Sequence, residues 1–72
     1  RVLATEEMQE LRRRLRGLVD NIAGVTNPEE LTEQLLLLVD GAFSSAQALG
    51  KTGPQQFLVA AADALIDAQL KK

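Results

Sequence analysis

Apolar residues recur at spacings of three and four along most of the chain, and two Gly-to-Pro segments divide them into three stretches. In the first, Ala4, Met8, Leu11, Leu15, Leu18 and Ile22 form one stripe, broadened by Val19. Glu6, Glu10, Arg12, Arg13, Arg16 and Asp20 cover the rest, so this stretch predicts a helix buried on one side. Gly24 then precedes Val25-Thr26-Asn27-Pro28, and Gly50 precedes Lys51-Thr52-Gly53-Pro54. Each segment reads as a helix stop followed by a helix start. Gly24 suits the left-handed position after a helix. Asn27 predicts a cap, with Pro28 in the first helical position and Glu30 in the third, near the positive helix end. The pattern predicts helices over about 2–23, 28–49 and 54–70. No alternating strand pattern competes, so the class is all-α.

The second stretch is apolar around most of its circumference. Leu31, Leu35, Leu38, Val39, Ala42, Ala46 and Leu49 make one broad stripe, and Leu36 and Phe43 extend one flank. Leu37, Gly41 and Ala48 lie on another side, leaving only a strip with Glu33, Asp40, Ser44 and Gln47 polar. Such a helix must be covered on most sides. In the third stretch Phe57, Leu58, Ala61, Ala64, Leu65 and Ala68 share a face, with Val59, Ile66 and Leu70 roughly opposite and Gln56, Asp63 and Asp67 on the wet side. Its alanines, with Gly41, Ser45 and Ala48 on the second helix, permit close helix approach.

Size sharpens the problem. With 72 residues and no Cys or His, neither disulfides nor the usual zinc ligands can reinforce the fold. A core this small rarely supplies more than about 3–5 kcal/mol, so a partner is expected. Arg1 stands where an initiator Met would, and the chain is expected to be a piece of a longer protein. Eight basic against ten acidic residues give a net charge of −2, which argues against direct nucleic-acid binding. No apolar run approaches the length that spans a bilayer, and no stretch resembles a signal peptide. A cytoplasmic home without a membrane role is expected.

Candidate chemistry is sparse. Arg12, Arg13, Arg14 and Arg16 spread around a helix rather than along one face, with Glu10–Arg14 and Arg16–Asp20 spaced for pairing. Asp40, after five apolar residues and before Gly41, is expected to play a structural role rather than contact a ligand. Ser44 and Ser45 have no His to activate them. Gly50-Lys51-Thr52-Gly53 lacks the glycine spacing and preceding strand of a phosphate loop. The expectation is therefore no enzyme, cofactor or metal, with Phe43 and Phe57 as packing anchors.

Asn27-Pro28-Glu29, Leu31 and the run Glu33-Gln34-Leu35-Leu36-Leu37-Leu38-Val39-Asp40-Gly41-Ala42, continued by Ala46 and Gly50, resemble the penultimate helix of tetracycline-repressor-like (TetR) transcriptional regulators. The Phe57–Leu70 stretch resembles that family's last helix, and Met8–Gly24 the helix before these two, so the resemblance spans nearly the whole chain. It implies that residues 1–72 are the carboxy-terminal dimerisation and regulatory part of a larger regulator. The last two helices would form an antiparallel hairpin that pairs with a second copy as a four-helix bundle. DNA would be reached only through an amino-terminal domain outside this chain, and a small-molecule effector is possible in the parent protein. The residues expected at the dimer interface are Leu36, Leu37, Gly41, Phe43, Ala48, Phe57, Ala61, Ala64, Leu65 and Ala68. The alternatives are a free-standing helical module that binds an amphipathic helix, and a small helical enzyme that holds an anion with arginines.

Overall fold

The structure, a computed structural model, describes residues 4–70. It is all-α: α1 (Thr5–Asp20), α2 (Pro28–Leu49) and α3 (Leu58–Leu70), with 3-10 turns over Gly50–Thr52 and Pro54–Phe57 and no strand among the described residues. The start expected for α1 at residue 2 lies outside them.

Local signals account for the ends of α2. The Asn27 side chain accepts from the Glu30 backbone N–H at 3.0 Å, and Pro28 opens the helix. Both loop glycines that follow helices have positive φ, +88° at Gly24 and +59° at Gly50. At the start of α1 the Glu7 carboxylate accepts the Ala4 N–H at 2.9 Å, which is half a capping box, because an alanine cap has no side-chain acceptor to return the bond. Two ends differ from expectation. α1 stops at Asp20 rather than near 23, since Asn21 and Ile22 donate to carbonyls three residues back and tighten the last turn. α3 begins at Leu58 rather than 54, since Gln56 likewise bonds back to Gly53 and keeps Pro54–Phe57 in 3-10 form.

α2 lies in the middle and packs against α1 on one side and α3 on the other. The body measures 37 × 27 × 14 Å. A 27 Å width holds three helices abreast at a spacing of 8–10 Å, so the chain forms a slab and not a closed bundle. Its radius of gyration is 12.9 Å, against about 11 Å for a compact chain of this length. It exposes 5168 Å², against about 4400 Å² for a compact protein of 7.8 kDa.

The buried apolar core is correspondingly small: Val19 from α1, and Leu31 and Leu36 from α2. Val19, at 1% exposure, takes the position facing α2, while Leu18 remains 64% exposed. That corrects the stripe expected for α1, which treated Leu18 as central and Val19 as an addition. Adjacent helical residues differ by about 100°, enough to exchange inside for outside.

Polar contacts complete the assembly. Buried Gln69, on the last turn of α3, accepts from the Asn27 N–H at 2.7 Å and from the Thr26 hydroxyl at 3.0 Å. Its amide donates to Glu30 at 2.9 Å. One side chain thus clasps the end of α3 to the start of α2 and sets the two helices antiparallel. Leu70 packs nearby, 3.4 Å from where a Cβ on Gly24 would stand. Thr32 is buried with its hydroxyl bonded to the Pro28 carbonyl at 2.7 Å. Gly53 is buried where a Cβ would come within 3.2 Å of the Ser45 carbonyl, so the hairpin turn sits tight on α2.

Replacing Gln69→Ala removes its three hydrogen bonds with Thr26, Asn27 and Glu30 together with a buried side chain, and is expected to cost about 2 kcal/mol in chemical denaturation, far above an exposed-site change. Gly17 sits inside α1 with open space around it, so Gly17→Ala is expected to raise stability by about 1 kcal/mol. Gly24→Ala, at positive φ, is expected to lower it by about 1 kcal/mol in the same assay.

Candidate association surface

The four arginines of α1 each pair within the chain. Arg12 forms a two-point bond to Glu33, Nε to Oε2 at 2.9 Å and Nη2 to Oε1 at 3.0 Å, linking α1 to α2. Arg16 donates to Asp20 at 2.9 Å and Arg14 to Glu10 at 2.9 Å, the i,i+4 pairs expected. Arg13 also donates to Glu10. The hydrogen bonds from Arg13, and then from Arg14, hold the Glu10 carboxyl below its ordinary 4.5, and Glu10 in turn raises Arg13. Arg12, Arg13 and Arg16 line one open surface hollow together with Asp20, Glu29 and Glu33, so each arginine there is matched by a carboxylate. Among the described residues no group of His, Cys, Asp or Glu is placed to hold a metal ion. None of the helices they form is long and apolar enough to cross a membrane.

What the chain offers instead is apolar surface on both sides of the slab. On one side all three helices contribute to an open trough of about 340 Å³. Leu15, Leu18 and Ile22 supply one wall, Leu35, Leu38 and Val39 the floor. Leu58, Val59, Ala62 and Ile66 supply the other wall, with Asp63 as the lone charge in the lining. Val59 is 72% exposed and Leu18 64%, so the trough is bare and not a closed cavity. Its breadth and shape suit another helix better than a small molecule, which needs near-complete enclosure.

On the other side α2 and the start of α3 frame a shallower groove lined by Leu37, Gly41, Phe57 and Ala61, together with polar Ser45 and Gln55. Leu37 is 74% exposed. Four of the residues expected at a dimer interface therefore meet in one place. Ala64 and Ala68 continue the stripe of Phe57 and Ala61 at helical spacing and are exposed, and Leu65 beside them is half-buried. Ala48 is exposed one to two turns beyond Gly41. Phe43 is half exposed but lies on the α1 flank of α2, away from this groove. Leu36 is 5% exposed and already spent on this chain's own core, so it has no free surface to offer a partner.

The trough lining, Leu18, Leu35, Val59 and Ile66 among it, lies outside the residues expected at an interface, and the signal that unites these residues is only that three helix faces lie on the same side of the slab. Asp40 is half-buried on the polar strip of α2, and Lys51 is exposed in the turn. Ser44 is exposed and Ser45 half-buried.

No protein-family model matches the sequence, and neither a curated protein nor a solved structure does.

The depressed Glu10 value carries a pH dependence. A carboxylate held below 4.5 adds support to α1 that is complete above that value and fades as pH falls through the lowered one. In an acid titration followed by circular dichroism, the native chain is expected to lose part of its helical signal only once pH has fallen below the ordinary carboxylate value. Glu10→Gln should lack that part already at neutral pH; coincident acid limbs would show that the pairing adds nothing.

Proposed function

We propose that the chain is an association module that completes its core against a second copy of itself, and that it serves as the carboxy-terminal dimerisation part of a TetR-like transcriptional regulator. The carrying observation is the bare apolar surface on both sides of a slab that buries only Val19, Leu31 and Leu36 among its described apolar residues. Large exposed apolar patches mark interaction surfaces. The antiparallel α2–α3 hairpin, clasped by Gln69, is the element that the family resemblance would pair with its dyad mate.

In such a regulator, dimerisation does more than add stability. Two DNA-reading heads must meet half-sites about one helical turn apart, and the dimer sets their separation. Those heads, and most of any effector pocket, would lie outside this chain. An effector bound in the parent protein would act by favouring one dimer geometry over another. A cytoplasmic site of action goes with this role.

A second function is favoured by one specific feature, the three-helix trough, which has the form of a cleft for a single amphipathic helix. It would make the chain a monomeric adaptor.

Equilibrium sedimentation of the full chain separates the two. A dimer is expected at about 100 µM, with dissociation in the micromolar range. A folded monomer at that concentration would dismiss the dimer role and favour the adaptor.

A further inference from the structure

The two walls of the trough differ in how their charges are used. On α1 the arginines are spent, each paired with a carboxylate of this chain. On α3 Asp63 stands in the trough lining, and Asp67, also exposed, follows one turn on along the outer edge. α3 carries no basic residue, and neither aspartate has a hydrogen bond or ion pair among the described residues. A wall built from Leu58, Val59, Ala62 and Ile66 thus ends in two unpaired carboxylates.

Anything that fills the trough lies over that edge and strips water from it. A carboxylate that loses water without gaining a cation or donor is penalised, so a purely apolar occupant forfeits part of what the trough offers. A second copy set trough to trough brings two more unpaired carboxylates. An amphipathic helix with Lys or Arg on one flank of its apolar stripe suits both features. Its apolar side chains cover Leu35, Leu38 and Val39 on the floor, while long cationic side chains lay their stems along the wall and carry their charge to its rim. Leu58 to Ile66 spans about 12 Å, a little over two helical turns, so a short helix with apolar residues at i, i+3, i+4 and i+7 covers it. Asp63 and Asp67 are about 6 Å apart along α3, which matches cations at i and i+4 on the incoming helix.

We propose that the trough docks an amphipathic helix of a partner protein, one whose apolar stripe is flanked by lysines or arginines at i,i+4 spacing that are set against Asp63 and Asp67. This rests on the cleft function above and adds the charge of the partner and the side on which it lies. Pairing of the α2–α3 hairpin through Leu37, Gly41 and Phe57 uses the opposite side of the slab and leaves the trough open. The two associations therefore do not compete for surface.

Fluorescence anisotropy with the full chain tests the assignment, with circular dichroism confirming that each variant stays helical. The probe is a labelled amphipathic peptide of about 18 residues, with leucines at i, i+3, i+4 and i+7 and lysines along one flank; its twin carries glutamine in place of lysine. The lysine peptide is expected to bind about tenfold more tightly than its twin, an advantage that shrinks as salt is added. Asp63→Asn with Asp67→Asn should erase that advantage. Glu6→Gln with Glu29→Gln, which removes the same charge from exposed positions outside the trough, should preserve it. Leu18→Gln with Val59→Gln should weaken both peptides by more than about tenfold. Equal binding of the twins overturns the charge assignment and leaves the cleft function standing, as does an advantage that survives loss of Asp63 and Asp67 or that the Glu6 and Glu29 changes also erase. Binding of neither peptide, or binding indifferent to Leu18 and Val59, overturns the cleft function and the proposal with it.

Discussion

The constraint behind the whole structure is the breadth of apolar surface on α2. A helix that is greasy around most of its circumference needs neighbours on most sides, and this chain supplies two. α1 and α3 flank it, which buries Leu31 and Leu36 and leaves two sides of the slab uncovered. The shortage of core and the bare apolar surface are one fact: the apolar residues that fail to be interior are those left exposed on the two sides of the slab.

Charge organises what hydrophobicity leaves undirected. Apolar contact has no preferred register, so a bare slab alone would associate in several ways. The two-point Arg12–Glu33 bond sets α1 against α2, and the Gln69 clasp sets α3 against α2. Exposed pairs such as Arg16–Asp20 add little stability, since water screens them. The contribution of the cross-helix Arg12–Glu33 pair is orientation, because a mismatched charge is a penalty even where a matched one gains little.

Much of the fold was legible in the sequence because its signals are local. Asn27, Pro28, Gly24 and Gly50 act on backbone within a turn of themselves, and the Glu10–Arg14 and Arg16–Asp20 pairs depend only on helical spacing. The residues that were misplaced depend on the third dimension. Whether Leu18 or Val19 faces α2 turns on the rotation of α1, to which a stripe of alternating threes and fours is indifferent. Leu36 looked like free flank until α1 covered it. Gln69 sits in an alanine-rich stretch with nothing to mark it; its importance comes from Thr26 and Asn27, more than forty positions earlier. The Arg12–Glu33 bond is of the same kind. Of the candidate site, the composition of each helix face was readable, while the merging of three faces into one trough required the side-by-side arrangement.

The clasp at Gln69 has one more consequence. α3 is tied to α2 at both ends, by the covalent turn through Gly53 at one and by a buried side-chain amide at the other. It is not a flap hinged at its loop, so the far wall of the trough is already set before anything arrives. Ordering a binding surface ordinarily consumes part of the free energy of association. Here that ordering of α3 is completed during folding, so a partner of the trough would spend none of its contact energy on straightening a loose helix.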